Sequence, residues 1–152
     1  MESVPFFTEN FAELQEDPDH TVPLGFVQTP QSFYNADIFQ FNLFLQDAVV
    51  NEQDFFSRDV NVLNGANEHA LFTGSNAVFL REAVDKVGGF PTDTITEDFE
   101  LGTKINSEGY KSLATVEPVS SGITPVDMKS VIKQRTRWAR GVIQSCRNLH
   151  IF

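Results

Sequence analysis

Apolar and polar residues change period several times along this chain, and each change marks an element. The opening FAELQEDPDHTVP is polar and proline-marked, and it runs into LGFVQTP, whose apolar run and closing proline predict a short buried strand over 24–28. The next stretch, SFYNADIFQFNLFLQDAVVNEQDFFSRDV, repeats its aromatic and aliphatic residues at mixed spacings of three and four, which predicts a helix over 38–58. NVLNGANEH is turn chemistry, because Asn64-Gly65 takes a positive φ at little cost. ALFTGSNAVFL then reads as two short extended pieces, the first over 70–72, broken by Thr73, Gly74 and Ser75. REAVDKVGGF reads as a helix stopped by its glycine pair.

Two further helices follow. Thr96 stands as the N-cap of one that runs to about Ser107 and closes at Gly109, before an extended segment over 112–116. Thr124 as cap, Pro125 at the first position and Asp127 three residues after the cap predict a long final helix ending near Asn148. Strands alternating with helices argue for an α/β layer structure, with the segments over 24–28, 70–72 and 112–116 in one sheet under the last two helices. No internal repeat or low-complexity tract interrupts the pattern.

The final helix sorts into three faces at 100° per residue. Met128, Val131, Ile132, Ala139, Val142, Ile143 and Cys146 form an apolar stripe with Arg135 in its middle. Lys129, Lys133, Arg140, Gln144 and Arg147 form a basic stripe. Gln134, Arg137, Trp138 and Gly141 form the third. Arginine offers a planar fork to phosphate oxygens, glutamine a donor and an acceptor, and an indole can stack on a sugar ring, so this face suits a ligand. It suits equally a half-buried Trp138 anchor with a polar flank.

Composition sharpens the picture at three points. A chain of 152 residues with fifteen phenylalanines supports one domain with a packed core. Its one cysteine, Cys146, permits no internal disulfide. The net charge of −10 argues against a nucleic-acid-binding domain. That charge is uneven, since residues 124–152 hold six Lys and Arg against one Asp, a net +5, which leaves −15 on the other 123 residues. A basic terminal element of this kind points to a phosphate-bearing ligand or an anionic lipid surface. MESVPFFTENF lacks the charged start and apolar run of a signal peptide, and no apolar run reaches the length of about eighteen residues that spans a bilayer.

The segment TITEDFELG places Glu97, Asp98 and Glu100 behind a threonine. Acids are favoured in the first turn of any helix, so the local chemistry is satisfied by a helix start; it is satisfied also by a carboxylate that accepts a proton from an attacking hydroxyl. The order of motifs bears on the choice. TPQSFYN, TGSNAVFLREAV, TED and QRTRW, spread in sequence from Val27 to Gly141, resemble the processive family 2 glycosyltransferases, membrane enzymes that include cellulose, hyaluronan and chitin synthases.

The resemblance implies a partial GT-A fold, a mixed sheet covered by helices, in which residues 1–152 are the acceptor-side portion and the nucleotide-binding half is missing. It implies that Asp98 is the general base, that Glu97 orients it or touches the acceptor, and that Thr73, Gly74 and Ser75 line the acceptor end. Thr73 stands where many members have cysteine. Gln134 and Arg137 would hold the donor diphosphate and Trp138 would stack on the acceptor sugar.

The family's Mg²⁺ or Mn²⁺ site and uracil site are expected upstream of these motifs, in the remainder of the polypeptide. Asp17-Pro18-Asp19, a literal DxD, follows no apolar strand and is read as a decoy. The chain is thus expected to be a soluble piece, inactive alone, of an enzyme at the cytoplasmic face of the plasma membrane. That enzyme would pass sugar from a nucleotide-sugar donor, a UDP-sugar by the resemblance, to a polysaccharide. The competing expectation is a non-enzymatic domain whose basic helix lies on an anionic membrane. The enzyme requires Asp98 and Trp138 to line one cleft, whereas the membrane domain requires only an exposed basic stripe.

Overall fold

A computed structural model describes residues 23–151. Strands β1 (Leu24–Gln28), β3 (Ala77–Phe79) and β4 (Lys111–Ala114) form a mixed sheet in the order β3-β1-β4, antiparallel on one side of β1 and parallel on the other. Every residue of β1 is buried, as befits a central strand covered on both faces. Strands β2 (Gln31–Phe33) and β5 (Ser120–Gly122) pair in parallel as a second, two-stranded sheet. The expected α/β layering and mixed sheet are present. The polar opening and Asp17-Pro18-Asp19 lie outside the described residues.

The core sits between the three-stranded sheet and α5 (Glu97–Ser107), with α4 (Arg81–Lys86) beside it. Phe26 of β1 and Leu101 and Ile105 of α5 are fully buried there, at spacings that put the two α5 residues on one helical face. Phe72 and Phe79 meet edge-on with ring centroids 4.9 Å apart, and Phe26 lies 5.3 Å from Phe79. Edge-on packing sets the positive rim of one ring against the negative face of the next.

Several expectations are corrected. Residues 70–72 form no strand: beside them lies one isolated bridge, His69 to Ser112 of β4, and Ala70 alone of the three bonds to β4, giving its N–H to the Ser112 carbonyl at 3.2 Å and accepting from Ser112 Oγ at 2.9 Å. Leu71 gives its N–H to Asn61 Oδ1 at 2.7 Å and accepts from Asn61 Nδ2 at 2.9 Å, so a side chain takes the place of a ladder partner. The third strand of the sheet is instead β3, on the side of β1 away from β4.

The helix expected over 38–58 is broken. Asp37 caps α1 (Ile38–Asn42) with a capping box, but Phe44 takes φ +55°, which no right-handed helix can pass through. Asn51 caps a new start, and α2 (Glu52–Phe55), a π-helical turn (Phe56–Val60) and α3 (Asn61–Ala66) follow without a gap. Asn64-Gly65 therefore lies inside a helix, where Gly65 serves a close approach: a β-carbon there would stand 2.5 Å from the Ala114 nitrogen of β4. The turn comes later, at Glu68.

The final helix, α6 (Met128–Asn148), begins at the cap Asp127, not Thr124. Asp127 accepts the Ser130 N–H at 2.9 Å, while buried Thr124 is already committed to Asn35, to which it donates its own N–H at 2.8 Å. α6 also packs on α5 rather than forming a second cover over the sheet. Only part of its apolar stripe turns inward: Cys146 is buried and Val131 and Val142 are half-buried, but Met128, Ile132, Ala139 and Ile143 are exposed.

Candidate active site

The seam between α5 and α6 is polar, and this fixes where the charged residues stand. Ser145 is fully buried, with its hydroxyl 2.9 Å from Thr94 Oγ1 and 3.3 Å from Thr96 Oγ1. Gln144 Nε2 donates to the Asp93 carbonyl at 2.7 Å, and Asn148 Nδ2 donates to Glu100 Oε2 at 3.0 Å. Glu100, with its side chain 1% exposed, is neutralised by Lys104 one turn on, at 2.8 Å. Gly141 lets the two helices approach, since a β-carbon there would lie 2.7 Å from Thr96 Oγ1. Thr96 occupies the N-cap position of α5 without capping through its side chain, which is spent on the seam. What Gly141 admits is thus the start of α5, not a ligand.

The loop opposite is tied to the end of β1. Buried Gln28 donates to the Ser75 carbonyl at 2.7 Å and accepts from the Thr73 N–H at 3.2 Å, while Thr29 N–H donates to the Asn76 carbonyl at 2.8 Å. Gly74, at φ +89°, turns the loop so closely onto α5 that a β-carbon there would stand 2.8 Å from Asp98 Oδ2.

Between this loop, the start of α5, the α2 and π-helical segment and the middle of α6 lies a cleft of about 610 Å³. Thr73, Gly74, Ser75, Glu97, Asp98, Arg137 and Trp138 all line it, residues drawn from three separate parts of the sequence. Gln134 does not. It is half-buried beside a separate small cavity of about 10 Å³, lined also by Asn51 and Thr124 and adjoining the cleft at Glu52 and Arg135, and its Oε1 has no hydrogen-bond partner.

Asp98 is half-buried, and that burial pushes its carboxyl pKa above the ordinary value. The Phe99 N–H, donating to Oδ1 at 2.8 Å, opposes the rise; neighbouring Glu97 adds to it, and Arg137 across the cleft opposes it. Arg135 and Glu52, which sequence reasoning did not connect to the site, also line the cleft. Gln28 and Ser145 were missed as well. Ser145 falls seven residues after Trp138 and four after Gly141, on one face of α6, which is a legible signal; Gln28 gives none beyond being polar at a strand end. Among the described residues no three His, Cys, Asp or Glu side chains gather into a metal-binding group.

The sequence profile of the group described as "Glycosyl transferase family group 2" matches residues 5–152, nearly the whole chain. The chain belongs to this glycosyltransferase family. Among curated relatives of this family 2 chain, Cellulose synthase 2 of Novacetimonas hansenii is 34% identical over 142 residues, covering 93% of the chain and 9% of the relative. The UDP-forming cellulose synthase catalytic subunit of Xanthomonas axonopodis pv. citri is 34% identical over 128 residues, covering 84% and 18%. Its counterpart in Pseudomonas fluorescens is 36% identical over 121 residues, covering 80% and 16%. The glycosyltransferase chain is therefore cellulose synthase-like, and it spans less than a fifth of the length of these relatives.

Proposed function

We propose that this chain is the acceptor-side part of an inverting glycosyltransferase that extends a polysaccharide from a nucleotide-sugar, with UDP as the leaving group, and that Asp98 is its general base. The observation that carries the reading is the meeting of Asp98, the Gly74 loop and Trp138 in one cleft. The acceptor hydroxyl gives its proton to the Asp98 carboxylate as its oxygen bonds to the anomeric carbon, and the bond from that carbon to the diphosphate oxygen breaks in the same displacement. Inversion at the anomeric carbon follows from the single step. Glu97 and the loop Thr73, Gly74 and Ser75 border the acceptor, Trp138 offers an aromatic face to a sugar ring, and Arg137 meets the diphosphate with a fork of donors where negative charge develops. Gln134 reaches the diphosphate only by leaving the side cavity it now lines.

The divalent ion that family members commonly use would supply further charge at the diphosphate, held by the remainder of the polypeptide. With only Arg137 and Gln134 for the leaving group, the 152 residues alone are expected to show no turnover. In the full-length enzyme, Asp98→Asn is expected to lower polymer synthesis by at least about a hundredfold, the usual scale for losing a general base, with donor affinity unchanged. Arg137→Ala is expected to weaken donor binding as well. Radiolabelled polymer synthesis and donor titration check both, and near-normal turnover in Asp98→Asn would return Glu97, Asp98 and Glu100 to the status of a helix start.

A membrane-surface role for α6 is favoured by a separate observation and is compatible with catalysis. Lys129, Lys133, Arg140 and Arg147 are exposed next to exposed Met128, Ile132 and Ile143. Among the described residues no helix is long and apolar enough to cross a membrane, but such a face can lie along one, and the full protein is proposed to work at the cytoplasmic membrane face. Co-sedimentation with vesicles containing anionic lipid is expected to fall when Lys129 and Lys133 are changed to Gln; equal binding to neutral vesicles would count against the role.

A further inference from the structure

Arg135 sits in the middle of what the sequence marks as an apolar stripe, and it lies against Trp138. Its guanidinium carbon stands over the indole, 4.6 Å from the ring centroid, and the same guanidinium is paired with the Glu52 carboxylate. Glu52 is itself placed from the protein interior. Asn51 caps α2 by accepting the Gln53 N–H at 2.9 Å, and buried Asp37, which caps α1 with Oδ1, also accepts the Glu52 N–H on Oδ2 at 3.4 Å, so the starts of α1 and α2 are tied together. Glu52, Arg135 and Trp138 all border the cleft that holds Asp98.

An indole has two faces, and a cation over one of them leaves a single face for a sugar ring. A free tryptophan at a cleft wall samples several rotamers, and each is a different height and tilt for a ligand stacked on it. A guanidinium that is held by a carboxylate on one side and lies over the ring on the other removes that freedom.

We propose that Arg135, held by Glu52, is a positioning residue that fixes the Trp138 indole and thereby sets where the acceptor sugar sits relative to Asp98. The proposal rests on the acceptor-side reading of Trp138 given above. Neither Arg135 nor Glu52 touches a reacting atom; both act through the indole. The exposed side of the pair makes it salt-sensitive, because the Glu52 side chain is 61% and the Arg135 side chain 35% exposed.

Trp138 is the single tryptophan of the chain, so its fluorescence reports this site alone. Acrylamide quenching is measured on the 152-residue chain, on Glu52→Gln, on Arg135→Met and on the double variant, each with far-UV circular dichroism matching the parent. Both single changes are expected to raise the quenching constant about twofold, as one indole face is uncovered. The double variant is expected to equal Arg135→Met, because Glu52 acts only through Arg135. Salt at about 1 M is expected to shift the unsubstituted chain toward the Glu52→Gln value, and this arm needs no variant to fold. Unchanged quenching in Glu52→Gln and in high salt, or additive effects in the double variant, would overturn the proposal.

Titration with cellotetraose, followed by Trp138 emission, separates the two readings. The dissociation constant is expected to rise about three- to tenfold in Glu52→Gln. Equal binding by Glu52→Gln and the unsubstituted chain would overturn the positioning role and leave the acceptor reading standing. No response of Trp138 to cellotetraose, with the quenching pattern intact, would remove the acceptor from the indole and with it the function assigned to the pair.

Discussion

Asp98 shows at the scale of one residue how a site opposes stability. Burial raises its pKa in the fold, so the ionised carboxylate is disfavoured there relative to the unfolded chain. The cost is absent below the ordinary aspartate pKa of about 3.9, where the group is protonated in both states, and is fully present above the raised pKa. Asp98→Asn, which keeps an acceptor for the Phe99 N–H, is therefore expected to melt higher than the parent at neutral pH, with the difference shrinking as pH falls toward that ordinary value. Thermal unfolding across pH tests it, and a lower melting temperature at neutral pH would contradict the burial argument. If Asp98 serves as the proposed base, the acid limb of kcat/KM in the full-length enzyme is expected above the ordinary aspartate range, which a pH–rate profile checks.

Between elements, the decisive contact is the polar seam that holds α5 on α6. Most helix pairs meet through apolar ridges, but here the inward face of α6 near the cleft is Trp138, Gly141, Val142 and Ser145. Replacing Gly141 with Ala gains about 1 kcal/mol of helix propensity, against an overpacking cost of about 1–3 kcal/mol. The cost should win, because the obstructing atoms belong to Thr96, which is buried and tied to Ser145. Gly141→Ala is expected to lose about 1 kcal/mol or more in urea unfolding and to shift the start of α5, seen as altered Trp138 emission. A gain in stability would show that the seam has slack.

Over the whole molecule, the apolar surface is unevenly covered. Phe44 is 87% exposed, and Phe41, Leu43, Val50, Val126 and Ile132 also stand largely in solvent. Among the described residues β3 is an edge of its sheet, with one side of its backbone free to pair. Exposed aromatics and an open edge favour association, so the isolated chain is expected to self-associate with rising concentration in sedimentation velocity. A monodisperse monomer at high concentration would count against this.

The sequence by itself determined what local rules govern: the buried strand over 24–28, the helix that follows Thr96, the long final helix to Asn148, and the ordered motifs that place the chain in its family. Gly88 and Gly109, both at positive φ, mark helix ends as a left-handed residue must. Tertiary structure decided the rest, wherever a side chain had two partners to choose between. Thr124 reads as a cap until Asn35 takes it, and residues 70–72 read as a strand until Asn61 satisfies Leu71. Gln134 and Trp138 share a face on a helical wheel, yet they border different cavities: Glu52, Gln53 and Arg135 stand at both, but Asn51 and Thr124 close around Gln134 while the Gly74 loop and the start of α5 face Trp138. Arg135 reads as an error in an apolar stripe, and only the arrival of Glu52 from 83 positions away gives its charge a partner and the indole a neighbour. Spacing along a helix fixes the direction in which a side chain leaves the backbone; what it meets there is supplied by segments that the local sequence does not contain.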